Sequence, residues 1–120
     1  MTDDTLTPES LLPLPAATFQ ILLAVAAEPS HGYAIMQEIS GRTGGQIRLG
    51  AGTLYRSIQR MLEQGLLEEV RQRPAAELDD ERRRYYRITR FGEDVARAEA
   101  ARLTQLVRLA RASGLAPGRA

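Results

Sequence analysis

The sequence predicts a mainly α-helical domain with one small β-hairpin and a long C-terminal helix. Three observations carry this. Three successive segments before residue 65 read as helices, the first apolar nearly all round and the next two with apolar residues on one side. Two short strand-like runs follow, at 66–73 and 84–88. A helical pattern of some two dozen residues then closes the chain. With 120 residues there is room for one small domain and not for two.

The elements are read in order. Residues 1–14 are polar, then spotted with leucine and proline, and are expected to be a loose tail whose leucines dock late. Pro15 suits a first helical turn. Residues 16–27 are apolar nearly all round (Phe19, Ile21, Leu22, Leu23, Val25), which predicts a buried helix that Pro29 ends. Ser30 offers an N-cap to a second helix over 31–40, with Ile35, Met36 and Ile39 inward. Gly41, Gly44 and Gly45 mark a loop, and 47–49 reads as a short extended piece.

A third helix over 51–64 sets Leu54, Ile58, Met61 and Leu62 on one side. Thr53, Arg56, Ser57 and Arg60 lie on the other. Gly65 is expected to close it in a left-handed conformation. In the second strand Tyr86 and Ile88 share one face, while Tyr85 and Arg87 share the other. Thr89 caps the last helix, which Gly114 and Pro117 stop. Its stripe is Leu103, Leu106, Val107 and Ala110, joined by Val95 two turns earlier.

Composition narrows the function. Apolar residues make up 43% and charged residues 26%, as in an ordinary globular protein. Cysteine is absent, so disulfides and thiolate chemistry are excluded, which fits a reducing cytoplasm. A single histidine excludes a multi-histidine metal site, and no cofactor is expected. The longest apolar run, 21–27, is far short of the ~20 residues that span a bilayer, so no membrane association is expected. No nucleophile–base pair or phosphate loop is visible, which argues against an enzyme.

The net charge is +1, but it is unevenly spread. Residues 1–29 hold four acids (Asp3, Asp4, Glu9, Glu28) and no arginine, whereas Arg82, Arg83, Arg84, Arg87 and Arg90 follow one another without an acid between. Such a cluster attracts phosphate, and arginine suits forked contacts to phosphate and guanine. Every basic residue is arginine, which genomic base composition explains equally well.

Three helices followed by a hairpin make a winged helix-turn-helix, whose third helix is placed to enter a DNA major groove. The face Thr53, Arg56, Ser57, Arg60 has the side chains for that role; a solvated amphipathic helix fits the same pattern.

The run His31-Gly32-Tyr33-Ala34-Ile35, then Gly52-Thr53-Leu54-Tyr55, resembles the PadR family of bacterial transcriptional regulators. So do Leu62-Glu63-Gln64-Gly65-Leu66-Leu67, Tyr85-Tyr86-Arg87-Ile88-Thr89 and Gly92. Four such motifs in the right order, over residues 14–92, make the resemblance specific. It implies a homodimeric repressor that binds an inverted repeat in double-stranded DNA. It also implies a short-form member whose single C-terminal helix packs against the partner subunit. The organisation is then a tail over 1–14, a winged helix-turn-helix over 15–89, a dimerisation helix over 90–113 and a tail over 114–120.

The resemblance puts His31 near the DNA backbone, although a capping or surface histidine fits the residue equally. It puts the Tyr55 hydroxyl within reach of phosphate. Tyr33 is expected to pack in the core and Tyr86 under the wing, with Tyr85 outward. Many relatives have proline or another residue where this chain has Arg56, so no base preference carries over.

The hairpin tip also departs from the pattern. It carries Glu77, Asp79, Asp80 and Glu81, which repel DNA, where relatives often have glycine and basic residues. Either the tip swings away and Arg82, Arg83 and Arg84 make the contact, or the wing is weak; the first is favoured. That acidic tip and the near-neutral charge leave a second function open, a winged-helix module that binds another protein. A small-molecule effector stays open too, its identity unknown. With no tryptophan and only Phe91 as an aromatic on the last helix, stacking of a flat ligand there is weakly supported.

Overall fold

A computed structural model describes residues 6–70 and 84–117. A 3-10 turn at Pro8–Leu11 precedes α1 (Ala16–Ala24), β1 (Ser30–His31), α2 (Gly32–Arg42) and α3 (Ala51–Glu63). Then come β2 (Leu67–Val70), β3 (Tyr85–Ile88) and α4 (Arg90–Ala112). The fold is a winged helix-turn-helix with a C-terminal helix, as the sequence predicts.

The core forms where the inward stripes of α1, α2 and α3 meet the hairpin and the first half of α4. Ile21, Leu22, Val25, Ile35, Ile39, Leu54, Ile58, Met61, Leu66, Leu67, Tyr86 and Val95 are buried there. Burying such aliphatic side chains stabilises by roughly 1.5–3 kcal/mol each, and this cluster fixes how α3 is presented.

The hairpin is part of a three-stranded sheet of order β1-β3-β2, and its first strand is not legible in the sequence. Ser30 pairs with Tyr86 and His31 with Tyr85. Ser30 is therefore not the N-cap of α2. Its backbone belongs to the sheet, and the cap moves to His31, whose Nδ1 accepts from the Ala34 N–H at 3.2 Å. Helix α1 ends at Ala24 rather than 27, with Val25 as its C-cap, whose N–H reaches the Ile21 carbonyl at 3.1 Å. Pro29 keeps Glu28 out of helical backbone on the way to β1.

Residues 47–49 form no strand. Thr43 takes the place of a pairing partner: its hydroxyl accepts from the Ile47 N–H (3.0 Å) and donates to the Ile39 carbonyl (2.9 Å). Residues 6–14 are more ordered than a loose tail, holding the 3-10 turn capped by Thr7, and Leu11, Leu12 and Leu14 dock on the core as expected.

Gly65 closes α3 at φ 79°, and the Leu66 N–H reaches back to the Met61 carbonyl at 2.9 Å. Thr89 then joins this turn to α4. Its hydroxyl donates to the Gly65 carbonyl (2.5 Å) and accepts from the Gly92 N–H (2.9 Å).

Candidate nucleic-acid interface

The buried side of α3 is Leu54, Ile58 and Met61. At 3.6 residues per turn, the direction opposite is occupied by Gly52, Arg56, Gln59, Arg60 and Glu63, all exposed. Thr53 flanks this face and is exposed as well. Arg56 Nη2 donates to Thr53 Oγ1 at 3.5 Å. Ser57 is half-buried at the edge of the core, off the centre of the face. Gln59 and Glu63 were missed. The signal was their place three and seven residues after Arg56, which a face drawn through Ser57 skips.

Among the described residues, no carboxylate pairs with Arg56 or Arg60. The wing differs. Arg87 Nε lies 2.7 Å from Glu68 Oε2, directly across the strands, and Arg84 lies 3.8 Å from Glu69. Exposed pairs of this kind contribute about 0–1 kcal/mol, so they give way readily to a phosphate. Arg82, Arg83 and the acidic tip lie outside the described residues.

Tyr55 stands beside α2. A Cβ on Gly32 would come within 2.6 Å of the Tyr55 Cζ, so only glycine leaves room for that ring. His31 meets Tyr85 edge to face, with centroids 5.2 Å apart. Tyr86 is buried behind them, and burial, with Glu69 adding to it, pushes its phenol above the ordinary value. Tyr33 does not pack in the core as expected. Two residues before Ile35 it falls on the opposite side of α2, is 57% exposed, and accepts from Gln37 Nε2 at 3.1 Å.

The stripe on α4 changes character along its length. Val95, expected to be part of a subunit interface, is instead wholly inside its own core, because the first half of α4 packs on α1 and the hairpin. Beyond Arg102 the helix overhangs. Leu103, Leu106 and Val107 are exposed, with Leu109 beside them, while Ala110 is half-buried.

At the changeover sits Glu99, 2% exposed and unremarked in the sequence. Its carboxylate accepts a fork from Arg102 (2.7 and 2.9 Å) and the Leu14 N–H (3.3 Å). The Arg102 bond, opposed by burial, holds its carboxyl below the ordinary range. The available signal was an acid four residues from both Val95 and Leu103.

Among the described residues there is no cluster of metal-ligating side chains, and no helix is long and apolar enough to cross a membrane.

Residues 21–98 match the model of the transcriptional regulator PadR-like family. The chain belongs to that family. A transcriptional regulator from Clostridium thermocellum has the same fold, with a TM-score of 0.68 at 20% identity over 88% of this chain and 94% of that one. A PadR family regulator from Clostridium difficile aligns with a TM-score of 0.66 at 21% identity, over 80% of this chain and 95% of that one. One from Eggerthella lenta aligns at 27% identity with a TM-score of 0.61, over 82% of this chain and 77% of that one. An uncharacterized protein from Lysinibacillus sphaericus is 34% identical over 73 residues, 61% of this chain and 64% of its own length. The chain thus covers just under two thirds of that relative. In this PadR-like regulator the motif residues Gly32, Tyr55, Gly65, Thr89 and Gly92 are those that fix the joints between α2, α3, the hairpin and α4.

Proposed function

We propose that the protein is a repressor that binds an inverted-repeat operator as a homodimer in the cytoplasm. Helix α3 enters the major groove through Thr53, Arg56 and Arg60. Ser57 at the edge of that face, Tyr55 and His31 beside α2, and Arg82, Arg83 and Arg84 of the wing contact the phosphate backbone or the minor groove. The carrying observation is the contrast in charge. Among the described residues, both arginines of α3 stand exposed without a carboxylate partner, whereas Arg84 and Arg87 of the wing are paired.

Helix α4 supports the dimer. Leu103, Leu106 and Val107, with Ala110, continue a stripe whose first half is already buried, and a second copy covers the remainder. A two-fold pair matches half-sites one helical turn (~34 Å) apart or a multiple of it.

Binding to duplex DNA of random sequence against salt tests the reading. A dimer making ~6–10 phosphate contacts loses ~10³–10⁵ in affinity between about 50 and 200 mM salt. The paired wing arginines favour a second reading, a winged-helix module that binds protein rather than DNA. No binding at about 50 mM salt would select it.

A further inference from the structure

We propose, on the reading of α3 given above, that Arg56 and Gln59 read a guanine and an adenine on neighbouring base pairs of each half-site. Both side chains are exposed, and both lie opposite Leu54, Ile58 and Met61, where a helix seated in a groove points at the base edges. Their chemistries differ in a useful way. A guanidinium offers two parallel N–H groups, which match O6 and N7 of guanine. A carboxamide offers one N–H and one carbonyl, which match N7 and the N6 amine of adenine.

The spacing fits adjacent pairs. Three residues advance ~4.5 Å along a helix, close to the base-pair step of ~3.4 Å, and positions three apart address successive bases in known groove-reading helices.

Two neighbours lie beside these side chains. The Arg56 guanidinium lies over Gly52, where a Cβ would stand 3.3 Å from Nη1 and shift it by only a few tenths of an ångström. Glu63 Oε2 accepts from Gln59 Nε2 at 3.4 Å, which leaves the second N–H and the carbonyl for a base. Glu63 is thus a positioning residue. The other exposed groups, Thr53, Tyr55 and Arg60, suit phosphate.

Selection of bound sequences from a pool of random duplexes tests the assignment, using the full chain, Arg56→Ala, Gln59→Ala and Glu63→Ala. Thermal melting controls for folding. The parent should enrich guanine and adenine side by side in each half-site, each preferred by about 5- to 150-fold. Arg56→Ala should lose the guanine preference alone, and Gln59→Ala the adenine preference alone. Glu63→Ala should weaken only the adenine preference; if it leaves that preference intact, the positioning role is wrong. A parent that enriches a site which Arg56→Ala and Gln59→Ala enrich with the same base frequencies overturns the assignment while DNA binding stands. A parent that enriches nothing and binds no duplex at low salt overturns both.

Discussion

The ring of Tyr55 lies against Gly32, so closely that a Cβ at position 32 would overlap it. The atoms that a Cβ at position 32 would meet are the far end of the tyrosine, which is 47% exposed and able to swing outward. Gly32→Ala should therefore cost little stability, under about 1 kcal/mol, the low end for overpacking. It should weaken DNA binding several-fold, because the Tyr55 hydroxyl is displaced. Calorimetry and a binding titration check this; a large drop in melting temperature would mean that the ring cannot move.

Gly92 is the contrasting case. Its missing Cβ would meet the Leu66 backbone carbonyl oxygen and lie 2.9 Å from Ile88 Cγ1. Backbone has nowhere to go, so Gly92→Ala should destabilise by about 1–3 kcal/mol. The ranking of the two variants in urea unfolding is the check, with Gly92→Ala the less stable.

Glu99 makes stability depend on acid. Its folded pKa lies below the ordinary 4.5, chiefly through the Arg102 bond, so its contribution is complete above that value. It is lost as pH falls through the depressed folded value. Glu99→Gln should cost about 1.5–3 kcal/mol at neutral pH, the worth of a hydrogen bond to a charged group. The gap to the parent should narrow as pH falls below 4.5. A gap that stays constant down to strong acid would show that the charge is not its source.

Arg56 and Arg60 stand exposed, away from the core, and contact DNA on the reading proposed above. Arg56→Ala and Arg60→Ala should leave folding and dimerisation intact and weaken operator binding. Arg60→Ala should also lower the salt slope by about 1, as loss of a single phosphate contact does. Parent-like affinity in both variants would put the reading face elsewhere.

Leu106 is 48% exposed on the overhanging half of α4. Leu106→Asp places a charge in the stripe that a second copy would cover, at little expense to the protomer. Sedimentation should show a shift to monomer with an unchanged helical signal. An unchanged profile would reject this dimer surface.

Apolar patterning located α1 to α4 and the hairpin: α2, α3, α4 and the strands through one buried face each, and α1 through a segment apolar nearly all round. The caps at Gly65 and Thr89 were legible too, since left-handed backbone and an N-terminal hydroxyl are local demands. What was not legible depends on partners distant in sequence. Strand β1 exists only because β3 comes to lie beside Ser30, and that pairing moved the cap to His31. Val95 and Leu106 fall on one stripe by spacing, yet the end of the domain core decides that one is inside and the other outside. Glu99 reads as a surface acid until Leu14, 85 residues away, supplies its N–H. The sequence by itself determined the α-helices and the hairpin, because each carries its own apolar pattern; only packing in three dimensions added β1 and decided which surfaces were left over for a partner.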